Sequence, residues 1–238
     1  MPIPNIEVCF SPHFLFQHEL KGKIVVVADI FRATSCMVTA FAHGVESIIP
    51  VAEVEECRDL QISGLLAAAE RDGMKVEGFD LDNSPFSYMN EAMKGKTIAI
   101  TTTNGTQAIT QSTEADTIVV GSFLNISSVA NYLLETGKSC IILCAGWKGH
   151  FNLEDTLFAG ALIEKLTESF DIDQDAALSS LVLYQSSKNE IIDLTRKSTH
   201  AKRLAKLNIH KDIEFCMTSD KYDVLPIYTN GKLLNVNR

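Results

Sequence analysis

A chain of 238 residues with 46% apolar and 21% charged residues is long enough to bury a substantial core and too apolar for disorder. Its net charge of −9 argues against nucleic acid or an anionic membrane as the main partner, because both need a basic face to displace counterions; a small anionic substrate remains open to it. The start, MPIPNIEVCF, has no basic region followed by a long apolar stretch, and no run approaches about 18 apolar residues. Neither a signal peptide nor a membrane span is therefore expected, and a cytoplasmic location is.

In chain order one pattern recurs: an apolar run rich in β-formers, a polar loop, then a segment with helical spacing. Residues 23–28 (KIVVVA) predict a buried strand, 29–34 (DIFRAT) a loop and 35–42 a helix with Cys36, Met37, Ala40 and Phe41 on one face. Residues 54–70 read as a helix, 71–74 (RDGM) as a turn and 77–85 (EGFDLDNSP) as a loop too polar for the core. The second unit is a strand at 97–100, the hydroxyl-rich TTTNGT at 101–106 and a weak helix at 107–111; the third is a strand at 117–120, the loop GSFLN and a helix running to Leu134, capped by Asn125 or Ser127. The fourth is CIILC (140–144), a long loop at 145–153 and a helix at 154–168, with further helices expected at 175–184 and 198–207. Asn230-Gly231, with strand-like residues on both sides, predicts a C-terminal hairpin, whereas Asn104-Gly105 lacks an alternating return strand and reads as a loop.

Continuous rather than alternating apolar runs imply strands buried on both faces, hence an α/β fold of three layers, α/β/α, with a mainly parallel or mixed sheet. No linker divides the chain, which is read as one unit over 1–238, either undivided or built as two intimately packed subdomains. In such sheets the loops beyond the strands' C-terminal ends gather where ligands bind. A homodimer is the expected assembly.

Within those loops the acids stand out: Asp29 at the end of the first strand, Glu70, Glu77, Asp80 and Asp82 in the middle, and Glu154-Asp155 at the mouth of the fourth unit. Hard oxygen ligands in this number suit magnesium, with Asp29, Glu70 and Asp80 the candidate ligands. Glu154 and Asp155 would also be favoured simply by the dipole of a helix start. Arg32 with Thr34 at a helix start reads as phosphate or carboxylate recognition, or as a loop-holding partner of Asp29. Asn83 and Ser84 either touch substrate or cap a helix begun by Pro85. Thr102, Thr103, Asn104, Gly105 and Thr106 form a candidate anion cradle, and Gly146 lies in the fourth loop.

The six cysteines are scattered without a CxxC pair, and His43, His150 and His200 are dispersed without zinc-ligand spacing. A GxxxxGK[ST] loop, a GxSxG elbow, the Cys-x5-Arg pattern of cysteine phosphatases and the second Asp of aspartate-nucleophile phosphatases are all missing.

Taken together, ADIFRATSCMVTAFAHG (28–44), AAERDGMKVEGFDLDNSPFSY (68–88), TTTNGTQAI (101–109), GSFLN (121–125), CAGWKGHFNLEDTLFAG (144–160) and STHAKRL (198–204) resemble the 2-phosphosulfolactate phosphatase, or ComB, family, in order over nearly the whole chain. Where that family often has Gly before Asn-Ser-Pro, this chain has Asp82. The resemblance implies a ComB-like fold distinct from the common phosphatases, and a magnesium-dependent hydrolase that converts (2R)-O-phospho-3-sulfolactate to 3-sulfolactate, a step toward coenzyme M. On that reading Asp29 with one or more of Glu70, Asp80, Glu154 and Asp155 holds magnesium. Arg32 and the 102–106 loop bind phosphate or sulfonate, and a remaining acid handles the proton. A covalent route through Asp29, Cys36 or Cys144 stays open, as do a non-catalytic sensor of a phospho- or sulfo-acid and a sugar-phosphate isomerase.

Overall fold

The computed structural model describes residues 3–237. Strand β1 (Ile6–Cys9) is followed by β2 (Ile24–Ala28), helix α1 (Ala33–Ala42), β3 (Ser47–Pro50), α2 (Val54–Ile62) and the hairpin of β4 (Leu66–Arg71) and β5 (Met74–Lys75). Next come β6 (Thr97–Thr101), α3 (Gly105–Gln111), β7 (Thr117–Gly121), α4 (Ile126–Thr136), β8 (Cys140–Cys144) and α5 (Leu153–Leu166). Helices α6 (Asp175–Ser187), α7 (Ile191–Arg196), α8 (Thr199–Lys206) and α9 (His210–Cys216) precede a last hairpin, β9 (Pro226–Thr229) and β10 (Lys232–Asn235). Among the described residues no helix is long and apolar enough to cross a membrane.

The strands form a mixed sheet in the order β1-β8-β2-β7-β9-β10-β3-β6-β4-β5. Two parallel blocks, β1-β8-β2-β7 and β3-β6-β4, flank the antiparallel β9–β10 hairpin. Because β9 is antiparallel to β7 and β10 antiparallel to β3, the two blocks run in opposite directions. The expected three-layer α/β architecture is present, and the buried runs explain it. In β2, Ile24, Val26 and Ala28 face one core with α4, α5 and α6, while Val25 and Val27 face a second with α1 and α3. That second core also takes Ile98 and Ile100 of β6, so both blocks share the layer holding α1 and α3. Ala67, Ala69 and Ala99 turn the other way, under Cys57 of α2.

The shared layer is what brings distant loops together. The chain leaves β2 into α1 and β6 into α3 on the same side of the sheet, and the two helix starts touch: a Cβ on Gly105 would sit 2.6 Å from the Ala33 Cβ.

Most boundaries fall near the expected ones, with one clear correction. The helix expected over 54–70 ends at Ile62, and LAAAER forms strand β4 beside β6. Leu, Ala and Glu favour a helix intrinsically, but Gly64 at φ +102° breaks it, and small side chains fit the strand buried beneath α2. The turn at Asp72-Gly73 and the hairpin at Asn230-Gly231 form as expected, each with both residues at positive φ. In GSFLN, Asn125 precedes α4 but turns its side chain back: its Oδ1 accepts from Ser122 N at 2.9 Å, and Asp220 takes over by accepting from Ser127 N at 2.7 Å. That loop is occupied with the C-terminal segment rather than with a ligand.

Helices α5 and α6 pack at Gly160, where an added Cβ would strike the Ser180 carbonyl oxygen and lie 2.7 Å from the Tyr184 Cβ. Gly160→Ala gains intrinsic helix propensity of about 1 kcal/mol, yet overpacking of this kind costs roughly 1–3 kcal/mol. The variant should therefore show a lower urea midpoint than the wild type at an unchanged m-value.

Candidate active site

The loop after β2 places Asp29 at the meeting point of both blocks. Its backbone is fixed by Thr34, whose hydroxyl donates to the Asp29 carbonyl at 2.9 Å and accepts from the Asp29 amide at 3.1 Å. The carboxylate itself accepts only a long bond from Ala33 N, 3.4 Å, among the described residues. Gly105 is required opposite it, because a Cβ there would lie 2.9 Å from Asp29 Oδ2. Burial pushes the Asp29 carboxyl up to about 6; His200 opposes that rise, and Glu70 and Glu154 add to it.

The first turn of α5 supplies two buried acids with different tasks. Asp155 accepts from Ile30 N through Oδ1 at 2.9 Å and from Gly146 N through Oδ2 at 3.0 Å, tying the loops after β2 and β8 together. Burial, with Glu154 and Asp29 nearby, holds its carboxyl well above the usual range despite those two amides. Gly146, at φ +62°, leaves no room for a Cβ against the His150 carbonyl. Glu154 is fully buried; its Oε1 lies 2.6 Å from Nδ1 of His200, and its Oε2 has no hydrogen-bond partner among the described residues. A contact this short between imidazole and carboxylate puts the proton of His200 on Nδ1, leaving Nε2 free for chemistry. Phe31 and Trp147 flank the imidazole, at ring-centre distances of 5.9 and 5.7 Å.

Glu70, near the end of β4, completes the acidic set. It accepts from Gly73 N at 2.5 Å in the β4–β5 turn and from the hydroxyl of Thr103 at 3.2 Å. The TTTNGT stretch is thus largely self-engaged. Thr102 and Thr106 each accept from the other's amide, at 3.2 and 3.1 Å, Thr103 is held by Glu70, and Asn104 Oδ1 accepts from Lys148 N at 3.0 Å. The loop is a cross-brace between β4, β6 and β8 whose hydroxyls largely serve the brace. A cleft of about 250 Å³, lined in part by His13, Thr103, Asn104 and Lys148, opens beside it.

Arg203 of α8 enters from the same helix as His200, three residues on. Its guanidinium carbon lies 3.5 Å from the centre of the Trp147 ring.

Residues 9–231 match the family model described as 2-phosphosulpholactate phosphatase. The chain belongs to this family. It is 43% identical over 218 residues to the probable 2-phosphosulfolactate phosphatase of Caldanaerobacter subterraneus subsp. tengcongensis, covering 90% of each chain. The Thermotoga maritima protein of the same description is 41% identical, covering 88% of this chain and 90% of its own. That of Clostridium botulinum is 35% identical over 238 residues, 98% of this chain and all of its own.

Not every residue singled out from the sequence converges in this member of the 2-phosphosulfolactate phosphatase family. Asp29, Glu70, Thr103, Asn104, Gly105, Gly146, Glu154 and Asp155 do. Arg32 does not pair with Asp29: its Nη1 meets Asp212 Oδ2 at 2.6 Å and its Nη2 donates to the Gly73 carbonyl at 2.9 Å, which anchors the β4–β5 turn to α9. Asp80 is exposed and accepts from Ala67 N at 3.0 Å, toward the opposite end of β4 from Glu70. Asn83 and Ser84 belong to a turn organised by Asp82, which accepts from Ser84 N at 2.9 Å and from the Ser87 hydroxyl at 2.6 Å. Ser84 borders a separate cleft with Arg32 and Asp212. Burial holds the Cys36 and Cys144 thiols well above their ordinary range, so neither is a ready nucleophile. His200, Arg203 and Trp147 were not assigned from the sequence, although the spacing of His and Arg three apart on one helix would place both on one face.

Two outcomes follow from these anchors. Asp29 binds its proton more tightly folded than unfolded, so the stability this confers is present below about pH 4 and lost as pH rises through about 6. In buffer containing EDTA, Asp29→Asn should be the more stable protein at pH 8, by up to about 2–3 kcal/mol, with the gap closing toward pH 4 in chemical denaturation. Asp155→Asn turns an amide NH2 toward one of two backbone N–H groups and should lower stability by about 1–3 kcal/mol at neutral pH, read by the same method.

Proposed function

We propose that this protein is a magnesium-dependent phosphoric monoester hydrolase that releases phosphate and 3-sulfolactate from (2R)-O-phospho-3-sulfolactate. The observation that carries this reading is the convergence on buried Asp29 of Glu70, Glu154 and the imidazole of His200, whose one nitrogen is held by Glu154. The family membership and the names of the relatives supply the substrate class.

The residues present fit a magnesium ion. The buried carboxylates of Glu70 and Glu154 both act on that of Asp29, and none of the three is ion-paired to a lysine or arginine among the described residues. Glu154 Oε2 is an orphaned buried oxygen, and Asp29 accepts a single long bond. Among the described residues no three His, Cys, Asp or Glu side chains are already gathered as a cage. Magnesium does not need one, since it keeps several waters and takes one or two carboxylates plus phosphate oxygens. Asp29, with Glu70 or Glu154, would hold it. When bound, it supplies the positive charge that phosphoryl oxygens need as the ester bond breaks.

The chain's own groups do the rest. Glu154 orients His200 with Nδ1 protonated, so that Nε2 can carry the proton that moves between the attacking water and the leaving oxygen. Asp155 keeps the loops after β2 and β8 in register, so that Asp29 and Glu154 stay at fixed separation. Phe31 and Trp147 shield the imidazole from bulk water. The cleft bordered by Asn104, Lys148 and His13 offers amide and cationic groups to the sulfonate and carboxylate of the substrate.

Phosphate release from phosphosulfolactate, assayed with magnesium and with EDTA, tests the reading. The wild type should turn over only with magnesium, and His200→Gln should lower kcat by about 10²–10⁴-fold. Magnesium should raise the melting temperature of the wild type but not of Asp29→Asn. Near-full activity of Asp29→Asn would remove Asp29 from the metal site, and tight binding of phosphosulfolactate by the wild type without phosphate release would sink the hydrolase and favour a sensor.

A further inference from the structure

Two nitrogens of Arg203, Nε and Nη2, are buried and have no hydrogen-bond partner among the described residues. Buried guanidinium donors are almost always satisfied, because an unmade charged hydrogen bond is costly. The fold does not need this group to be unpaired. Arg32, buried in the same molecule, has both of its terminal nitrogens engaged, on Asp212 and the Gly73 carbonyl.

Arg203 is nevertheless held in one place. The Trp147 ring lies 3.5 Å beneath the guanidinium carbon, and Trp147 itself sits 5.7 Å from the His200 ring. Helix α8 sets His200 and Arg203 on one face, three residues apart. Glu154, Glu70 and Asp72 all act on the guanidinium charge, yet none forms an ion pair with it among the described residues. Nε and Nη2 are the pair whose N–H bonds point the same way along one edge of the guanidinium. That edge is a two-pronged donor matched to two oxygens of one phosphoryl group.

We propose that Arg203, stacked on Trp147, is the phosphoryl clamp of this site, gripping two oxygens of the transferred group through Nε and Nη2. The identity of the anion rests on the phosphatase reading; the clamp itself rests on the two unpaired nitrogens. Arg203 thereby fills the role that the sequence suggested for Arg32. An anion gripped there would sit beside the helix face that carries His200, and magnesium, if held by Asp29 with Glu70 or Glu154, would add its positive charge to that of Arg203.

Trp147 is the single tryptophan of the chain, so its fluorescence reports directly on what happens at the guanidinium above it. Inorganic phosphate titrated into the wild type in magnesium buffer should change that fluorescence saturably. Arg203→Ala should bind phosphate at least about tenfold more weakly and lower kcat/KM for phosphosulfolactate by about 10²–10³-fold. Added guanidinium should restore part of the activity to Arg203→Ala, whereas Arg203→Lys, which offers a point charge and no planar fork, should stay impaired. Near-ultraviolet circular dichroism matching the wild type shows that each variant is folded.

Phosphate affinity in Arg203→Ala equal to that of the wild type, or no saturable fluorescence change in the wild type, overturns the clamp. The two readings separate cleanly. Turnover of phosphosulfolactate that survives in Arg203→Ala rejects the clamp and keeps the hydrolase. Arg203-dependent phosphate binding in a protein that hydrolyses no phosphosulfolactate rejects the hydrolase and keeps the clamp.

Discussion

The two backbone amides that converge on Asp155 hold this site in being. One belongs to Ile30, just past the end of β2, and the other to Gly146, just past the end of β8, and a single carboxylate accepts both. Strand pairing alone aligns β2 and β8 but leaves their continuing loops free to diverge. The Asp155 bridge prevents that, and because it sits in the first turn of α5 it also fixes where that helix begins. Glu154, one residue earlier, is then delivered to His200 without any separate device. A buried acid is costly, and here the cost is offset by making one side chain serve strand ends, helix start and dyad together.

The second constraint is the layer shared by the two parallel blocks. Since the blocks run in opposite directions, their strand ends would not meet at one straight edge. They meet because α1 and α3 lie side by side in a common core, with Gly105 set against Ala33 and Asp29. The groups proposed for the site consequently come from every quarter of the chain: Asp29 after β2, Glu70 on β4, Glu154 on α5, and His200 and Arg203 on α8. The sugar-phosphate and nucleotide-binding loops of commoner α/β proteins concentrate such groups in one motif. Here tertiary packing does the gathering, which is why none of the short motifs of other phosphatases occurs.

That dispersal sets what could be read from the sequence. Three strands of the first parallel block, β2, β7 and β8, were legible because runs such as Val25 to Val27 and Ile141 to Leu143 are unbroken and apolar, as burial on both faces demands, whereas β1 (Ile6–Cys9), with Glu7 inside it, was not. Asp29 was legible because an acid directly after such a run has few structural excuses. LAAAER was misread because its residues favour a helix by propensity, and only the neighbouring β6 and α2 make it a strand. The hydroxyls of TTTNGT looked like a ligand cradle, but hydroxyl count says nothing about which partners are already taken, and Thr102, Thr103 and Thr106 satisfy one another and Glu70. Arg32 and Arg203 show the same limit from the other side. Both are arginines near polar loops, and only the positions of Asp212 and Trp147 decide that the first is spent on an ion pair and the second is stacked with Nε and Nη2 unpaired.

The β9–β10 hairpin has a consequence for how the molecule is made. Its residues, 226–235, come after every other strand in chain order, yet they occupy the middle of the sheet, between β7 and β3. During synthesis the two parallel blocks emerge first, each exposing the edge strand that the hairpin will later cover. The sheet becomes continuous only when residues 226–235, which follow all the other strands, leave the ribosome and insert between them. A single late-arriving ribbon thus decides when two half-sheets become one molecule, and until it does, the nascent chain carries two unprotected sheet edges facing the same gap.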